Sequence, residues 1–326
     1  MEGEVAAMEN YIKTEKITAS RRVKLKTKRL AGIRKNWDLY LLLIPVILYF
    51  LIFHYWPMYG VQIAFKDYIG TKGIWGSPWV GFRHFQRFFR SYHFWPLIRN
   101  TLTLSLYYLA IGFPIPILLA LMMNEVKNKT FKKTIQTITY APHFLSTVVL
   151  VGMFTVMLSP KYGLINQMRE VFGYEKIYFM GDTKWFKWIY VWSGVWQHAG
   201  WNSIIYMAAL AGIDVQLYEA AIVDGASKWQ RIWNVTVPGI LPTAIVLLIL
   251  NVGQIMSVGF EKVFLMQNDL NLPASDIIST YVYRTGLLGA QYSFSAAIGL
   301  FNSIINFILI ITINQISKKI SETSLW

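Results

Sequence analysis

The residues best suited to acid–base or metal chemistry are five histidines, and their spacing indicates neither. His54, His84, His93, His143 and His198 form no HxxxH or HExxH pair, and the few acidic residues lie mainly in predicted loops. Cysteine is absent, which excludes disulfides, thiolate metal ligands and cysteine nucleophiles. No GxxxxGK[ST] sequence occurs, so a phosphate-binding loop is also missing. We therefore expect no catalytic residue, metal site or cofactor in this chain.

Amide and aromatic side chains inside the apolar stretches could instead bind a polar solute. Such side chains cost free energy in hydrocarbon unless they pair with each other or face a cavity. One interpretation is hydrogen bonding between helices, with tryptophans at the membrane interface. The other is a cavity that holds a solute through amides and aromatic faces, as sugars require. The candidates for such a cavity are Trp192, Trp196, Asn202, Asn251, Gln254 and Asn302.

A charged island at residues 214–238 separates two apolar stretches and has the features of a helical elbow. Asp214 can cap a first helix, and Gly225 can end it in the left-handed conformation. Ser227 and Gln230 have the spacing of a capping box for a second helix. Asp224 and Lys228 are four residues apart, and Pro238 is expected to stop this helix. The pattern predicts two short helices shaped to dock in a groove of another protein.

The composition indicates an integral membrane protein that must position these residues. The chain has 326 residues, of which 55% are hydrophobic and only 15% charged. Six stretches lack Asp, Glu, Lys and Arg, and each is long enough to cross a bilayer as a helix. They are 39–65, 100–124, 134–160, 188–213, 232–260 and 285–317. We therefore predict an all-α membrane protein with six transmembrane helices, whose second and third helices are distorted by Pro114, Pro116 and Pro142.

The distribution of basic residues predicts that both termini are cytoplasmic. The arm before residue 36 holds ten of the 31 Lys and Arg residues and lacks a cleavable signal sequence. With this arm inside, the 214–238 island and the tail also face the cytoplasm. The predicted organisation is a basic arm at 1–37 that lies on acidic lipid, a six-helix domain at 38–317 and a tail at 318–326. The net charge of +14 suggests lipid headgroups, and no nucleic-acid-binding signature is present.

The predicted outer loops are unusually basic. They hold 13 Lys and Arg residues against seven acids, a net charge of +6. Much of it lies in GFRHFQRFFR at 81–90, where Arg and Phe recur at helical spacing. One interpretation is an interfacial helix with Phe in the membrane and Arg at the headgroups. The other is a surface that attracts an acidic partner or solute.

The island resembles the EAA loop of bacterial ATP-binding cassette importer permeases. That family's pattern is EAA, three residues, Gly, nine residues, then Ile-x-Leu-Pro, and here Val235 and Val237 replace Ile and Leu. The segment PWVGFRHFQRFF at 78–89 and the sequence YEAAIVDGAS further resemble the carbohydrate branch of the maltose and glycerol-phosphate importers. Within that branch the chain looks similar to Gram-positive oligosaccharide permeases and to the first membrane subunit of the bacterial alginate importer.

This resemblance implies a type I importer permease in the bacterial cytoplasmic (inner) membrane. It implies a second homologous permease, two ATPase subunits that bind ATP and Mg, and an extracytoplasmic solute-binding protein. The ATPase-coupling residues that it implies are Tyr218, Glu219, Ala220, Ala221, Asp224, Gly225, Ala226, Ser227 and Pro238. An acidic, alginate-like glycan is the favoured solute because the outer face is basic, and a neutral oligosaccharide is the alternative.

Two other classes of function, a self-sufficient carrier or channel and a membrane-bound enzyme, fit the sequence less well. A self-sufficient carrier or channel would need a coupling or conducting site, usually with charged residues at membrane depth, and the six stretches contain none. A membrane-bound enzyme is opposed by the missing metal and acid–base clusters. Co-purification of a P-loop ATPase would separate the importer from both.

Overall fold

The computed structural model describes residues 35–321, and this part of the chain is helical. Within it, extended pairing is limited to a single bridge between Lys66 and Trp79. The basic arm and the last residues of the tail lie outside the described residues, so the expectations for them stay predictions. The chain divides into two compact units, Met1–Gln62 and Ile63–Trp326, and each is considered by itself.

The first unit contains one long apolar helix. Helix α1 (Trp37–Phe50) continues through a wide π turn (Leu51–Tyr55) into α2 (Trp56–Met58) and a 3-10 segment (Tyr59–Phe65). No side chain of α1 is buried. A helix that is apolar on all sides and unburied in the protein is typical of a membrane span, where lipid solvates every face.

The second unit contains the remaining helices. They are α3 (Gly73–Gly76), α4 (Arg83–Phe89), α5 (Phe94–Gly112), α6 (Pro114–Glu125), α7 (Lys129–Tyr140), α8 (Thr147–Met157), α9 (Leu164–Val171), α10 (Thr183–Ala211), α11 (Val215–Val223), α12 (Lys228–Arg231), α13 (Val237–Val252), α14 (Phe260–Met266), α15 (Leu272–Ser275), α16 (Ile278–Val282) and α17 (Tyr292–Ser321). A 3-10 turn (Ala141–Phe144) and π turns (Ile232–Thr236 and Tyr283–Leu288) connect some of them.

Four helical segments are long and apolar enough to cross a membrane by themselves. They are Trp37–Phe65, Phe94–Glu125, Lys228–Val252 and Tyr292–Lys319. Two bent helix pairs raise the number of candidate spans to six if each pair is one span: Lys129–Phe144 with Thr147–Met157, and Thr183–Ala211 with Val215–Val223. The described part of the chain is therefore a multi-pass membrane helical fold with four to six candidate spans.

The third apolar stretch is not one straight helix. Its two parts meet at an angle of 100° next to Leu145. Pro142 lies in the 3-10 turn before this bend, as expected for a residue that cannot continue an α-helical hydrogen-bond ladder. Beside the bend, the Leu145 main-chain oxygen accepts a hydrogen bond of 2.9 Å from the Gln197 side-chain amide. The prediction that Pro142 distorts this segment is confirmed.

The prolines of the second span interrupt its helix at the expected position. Helix α5 ends at Gly112, and α6 begins at Pro114. A proline in the first turn of a helix loses no hydrogen bond because its missing N–H has no intrahelical partner there. The two helices together still form one candidate span, Phe94–Glu125.

Helix α10 lies at the centre of the second unit and packs against α5, α6, α7 and α13. Its contact with α7 depends on Gly200, because a Cβ atom there would lie 2.1 Å from the Thr139 main-chain oxygen. Small residues permit such close approach between membrane helices. The surrounding apolar core includes Phe186, Val191 and Leu104, which are almost fully buried.

The basic segment of the first outer loop forms helix α4, as its spacing predicted, but half of its apolar face is inside the protein. Phe85 and Phe88 are buried, whereas Phe82 and Phe89 stay exposed. For Phe85 and Phe88, the interpretation of an interfacial helix with Phe in the membrane is therefore wrong; for Phe82 and Phe89 it stays a prediction. Packing against the start of α17 removes Phe85 and Phe88 from lipid.

Candidate functional site

The first candidate site is the helical elbow of the 214–238 island. Asp214 caps α11, since its carboxylate accepts a 2.9 Å hydrogen bond from the Gln216 N–H. Gly225 follows this helix with φ +77°, and the Ala226 N–H donates to the Ala221 oxygen over 2.9 Å. No atom lies within 4 Å of a Cβ built on Gly225, so glycine is required here for its backbone conformation. The predicted cap and glycine turn are confirmed.

The second helix of the elbow begins as predicted but does not end at Pro238. Ser227 and Gln230 form the reciprocal capping box, with hydrogen bonds of 2.7 and 3.4 Å. Beyond them α12 passes through the Ile232–Thr236 π turn into α13, giving one candidate span from Lys228 to Val252. The predicted stop is wrong because the wide π turn shifts the hydrogen-bond register and leaves the proline in the first turn of α13.

Two side-chain contacts join the elbow to the membrane helices. Lys228 pairs with Glu125 at the end of α6, with a nitrogen–oxygen distance of 3.1 Å. The expected partner, Asp224, does not form this pair, since it lies on the other side of the Gly225 turn, where helical spacing no longer applies. The Tyr218 hydroxyl lies 3.1 Å from the Thr236 hydroxyl. The elbow thus contacts both the end of α6 and the start of α13.

The free face of the elbow is a mixed apolar and charged surface. Glu219 and Ala220 are exposed, and Ala221 is half-buried. The neighbouring apolar residues Val223 and Trp229 expose 85% and 71% of their surfaces. Contiguous exposed apolar residues are typical of surfaces that bind another protein.

The second candidate site is a cavity of about 560 Å³ between the membrane helices. Its wall combines residues from α5, α6, α10 and α13 with the segment that leads into α14. Asn202, Asn251 and Gln254, three of the predicted solute residues, line this cavity together. Asn251 also donates to the Leu247 oxygen of its own helix over 2.7 Å.

The other predicted solute residues lie elsewhere. Trp192 and Trp196 are on the exposed side of α10, about half exposed, and Trp196 contacts Phe154 edge to face. Asn302 lines a separate apolar groove beside Val282 and Gly286. Helical periodicity places Trp192 and Trp196 on a face of α10 that differs from the face of Asn202, whereas Asn302 lies on another helix, α17. A role of these three residues in solute transfer stays a prediction.

Sequence reasoning missed Lys262, which was counted only as an outer-loop charge. Its side chain is buried in the wall of the cavity, and its Nζ donates a hydrogen bond of 2.8 Å to the main-chain carbonyl oxygen of Tyr190. The amine also lies 4.8 Å from the centre of the Tyr190 ring. Burial lowers the pKa of the Lys262 amine to about 7. The available signal was a lysine close to the end of an apolar stretch that also holds Asn251 and Gln254.

The structure also brings together two histidines that are 55 residues apart in sequence. The Nδ1 atoms of His143 and His198 are 3.2 Å apart, and the His143 ring stacks on Trp201 with ring centres 4.4 Å apart. The pair follows from the bend at Leu145, which motif spacing does not reveal. Among residues 35–321, no group of three or more His, Asp or Glu side chains is placed to hold a metal ion.

Comparisons with known proteins agree with this arrangement. Residues 112–322 match the family model described as the inner membrane component of binding-protein-dependent transport systems. Protein LplB of Bacillus subtilis strain 168 is 46% identical over 297 residues, which cover 91% of this chain and 93% of LplB. The polygalacturonan/rhamnogalacturonan transport system permease protein YteP of the same organism is 45% identical, covering 88% of this chain and 90% of YteP.

A solved structure has the same fold over most of the chain. It is the crystal structure of a bacterial alginate ABC transporter in complex with an alginate pentasaccharide-bound periplasmic protein. One of its chains is 44% identical, with a TM-score of 0.84, and the match covers 90% of this chain and 98% of that chain.

Proposed function

The chain belongs to the family of binding-protein-dependent transport system inner membrane components, and we propose that it imports acidic oligosaccharides or polysaccharides, alginate-like glycans among them. The observation that carries this proposal is the cavity in which Asn202, Asn251, Gln254 and a buried lysine converge. Amides suit the hydroxyl groups of sugars, and an ammonium suits a carboxylate. Two relatives, the permease YteP and the alginate transporter chain, are associated by their descriptions with acidic polysaccharides.

The proposed assembly needs subunits that this chain does not supply. They are a second homologous permease, two ATPases that bind ATP and Mg, and an extracytoplasmic solute-binding protein. In this arrangement the chain crosses the bacterial inner membrane six times, with the basic arm at 1–37 and the tail at 318–326 in the cytoplasm. Four long apolar helices and two bent pairs support this topology.

We assign ATPase coupling to the elbow. The free surface around Glu219, Ala220 and Ala221 would dock on an ATPase subunit, with Gly225 providing the turn between the two helices. Lys228 and Tyr218 would pass the resulting movement to α6 and α13 through their contacts with Glu125 and Thr236. Asp224, Ala226, Ser227 and Pro238 complete the element by shaping its turn and its second helix.

Uptake by the complete complex in proteoliposomes tests the proposal. Oligogalacturonate or oligoalginate of three to five units would be compared with neutral oligosaccharides of equal length, with the binding protein outside and ATP inside. We expect ATP-dependent uptake with a preference for the acidic glycans. Equal uptake of neutral glycans would support the alternative neutral solute, and uptake by this chain alone without ATP would support a self-sufficient carrier.

A further inference from the structure

Lys262 differs from the other described lysines because its amine is buried in a cavity wall without an acidic partner. Its side chain is 9% exposed. The ion pairs found within residues 35–321 are Asp67–Arg83, Glu170–Lys176, Glu125–Lys228 and Asp276–Arg284, and none involves Lys262. Glu261 lines the same cavity but forms no ion pair with the Lys262 amine.

The surroundings of the amine leave part of its hydrogen-bonding capacity for a ligand. An ammonium can donate three hydrogen bonds, and the main-chain oxygen of Tyr190 accepts one of them. Gly194 provides the space, because a Cβ atom there would lie 3.0 Å from the Lys262 Nζ and 2.8 Å from the Tyr108 ring. Any larger residue at position 194 would crowd the amine, so the glycine keeps this side of the cavity open.

A second buried lysine shows what a structural role looks like in this fold. Lys66 is 3% exposed, and its Nζ donates to the Ile74 oxygen over 2.7 Å within the same outer loop. This Nζ also lies 4.9 Å from the centre of the Trp79 ring, and the main chains of Lys66 and Trp79 form the antiparallel bridge. Lys66 therefore stabilises a local loop. Lys262 instead bonds to Tyr190, which is 72 residues away in sequence, on the helix that carries Gln197 and Asn202.

Burying an unpaired ammonium is costly, which is why burial lowers the pKa of Lys262 to about 7. A carboxylate that entered the cavity would offset this cost and favour the charged amine. Charged groups held at such a cost in a cavity are candidates for ligand recognition. The amides of Asn202 and Gln254 in the same wall can bind sugar hydroxyls but do not distinguish a carboxylate from a neutral group by charge.

We propose that Lys262 is the residue that recognises the carboxylate of an acidic glycan in the cavity and so sets the preference for acidic over neutral sugar units. The inference rests on the proposed function, since it names the specificity-determining residue of the same solute path. The ammonium donates to the carboxylate while it keeps its hydrogen bond to Tyr190, and the neighbouring amides bind hydroxyl groups.

The test uses the assembled transporter in proteoliposomes and a matched pair of solutes. The solutes are an oligogalacturonate and the same oligomer whose carboxyl groups have been reduced to hydroxymethyl groups. Lys262→Met should lower uptake of the acidic oligomer about tenfold, as expected for the loss of one charge-assisted hydrogen bond, and change uptake of the reduced oligomer less than about twofold. Lys184→Met removes an exposed lysine of α10 and should change neither.

The outcomes separate the inference from the proposed function. If the wild-type complex prefers the acidic oligomer and the Lys262→Met complex keeps this preference, the role of Lys262 is overturned but the proposed function is not. Equal losses for both oligomers also overturn it and indicate a packing role for the side chain. A wild-type complex without any preference overturns both. If Lys262→Met fails to assemble with the ATPases, Lys262→Gln, which keeps an N–H donor for Tyr190, decides by the same criteria.

Discussion

Lys228, the first residue of the second elbow helix, forms an ion pair of 3.1 Å with Glu125, the last residue of α6. The pair connects the elbow to a helix that contributes Pro116 to the wall of the cavity. Under the proposed docking of an ATPase, this pair is a direct physical route from the elbow to α6.

The first prediction concerns this ion pair. Glu125→Gln should raise the ATP hydrolysed per solute transported by less than about fivefold, because partly exposed pairs contribute about 0.2–1 kcal/mol. The two side chains are 32% and 58% exposed. The exchange Glu125→Lys with Lys228→Glu should restore the ratio. Glu170→Gln, which removes the acid of the 3.0 Å Lys176 pair, is the control; an equal effect of the control would argue against the route.

The second prediction concerns the backbone of Gly225. At φ +77° an L-residue costs about 1–2 kcal/mol, and a β-branched residue costs more. The loss of uptake should therefore be smallest for Gly225→Asn, larger for Gly225→Ala and largest for Gly225→Val, while the chain stays inserted in the membrane and ATP hydrolysis continues. Gly73→Ala introduces a similar backbone strain, at φ +65°, in the predicted first outer loop and should leave coupling unchanged.

The third prediction concerns bulk at the docking surface. Ala221 is half-buried on α11, and small side chains permit the close approach of a partner helix or groove. Ala221→Trp should uncouple ATP hydrolysis from uptake without loss of membrane insertion, as read from the amounts of each subunit that co-purify. Normal transport by this variant would show that position 221 does not approach the ATPase.

The fourth prediction concerns the contact between α7 and α10. Gly200→Ala would place its methyl group 2.1 Å from the Thr139 oxygen, so the helices must separate. Overpacking of this kind typically costs about 1–3 kcal/mol. We expect a lower thermal unfolding temperature of the purified complex. Gly152→Ala is the matched control in α8, where nothing lies within 4 Å of the added atom, and it should unfold at or slightly above the wild-type temperature because alanine is the better helix former.

The fifth prediction concerns pH and His84. The ring is buried beneath the outer loop with its Nε2 3.1 Å from the Lys66 oxygen, and burial lowers the pKa of His84 below its ordinary value of 6.5. The unfolded loop then binds more protons, so its stability should fall as pH drops below about 6.5. Amide exchange of residues 66–89 should accelerate between pH 7 and 5 after correction for intrinsic rates. His84→Gln should weaken this dependence.

Local features of the elbow could be predicted from sequence because each depends on neighbours in the chain. The Asp214 cap, the left-handed Gly225 and the Ser227–Gln230 capping box all form as expected. Pro238 is different: whether a proline ends a helix depends on the hydrogen-bond register before it, and a π turn changed that register. The partner of Lys228 was missed for a related reason, since Glu125 is 103 residues away.

The cavity between the membrane helices was only partly predictable. Asn202, Asn251 and Gln254 were suggested by the cost of polar groups in apolar stretches, and they do share the cavity. The same argument selected Trp192, Trp196 and Asn302, which lie elsewhere, because polarity alone does not tell which face of a helix turns inward. Lys262 lies just outside the apolar stretches, so the cost of polar groups within them could not identify it as a cavity residue.

Local patterns in the chain were sufficient to predict the helical membrane class, the approximate limits of the apolar segments and the form of the elbow, because lipid demands long apolar helices and caps act over a few residues. Three features became visible only in the folded chain: the 100° bend beside Leu145, the Glu125–Lys228 pair and the burial of Lys262 against Tyr190. Each of these joins residues distant in the chain, and such contacts depend on how helices cross and rotate against one another. The elbow thus follows from local chemistry, whereas the solute cavity follows from packing.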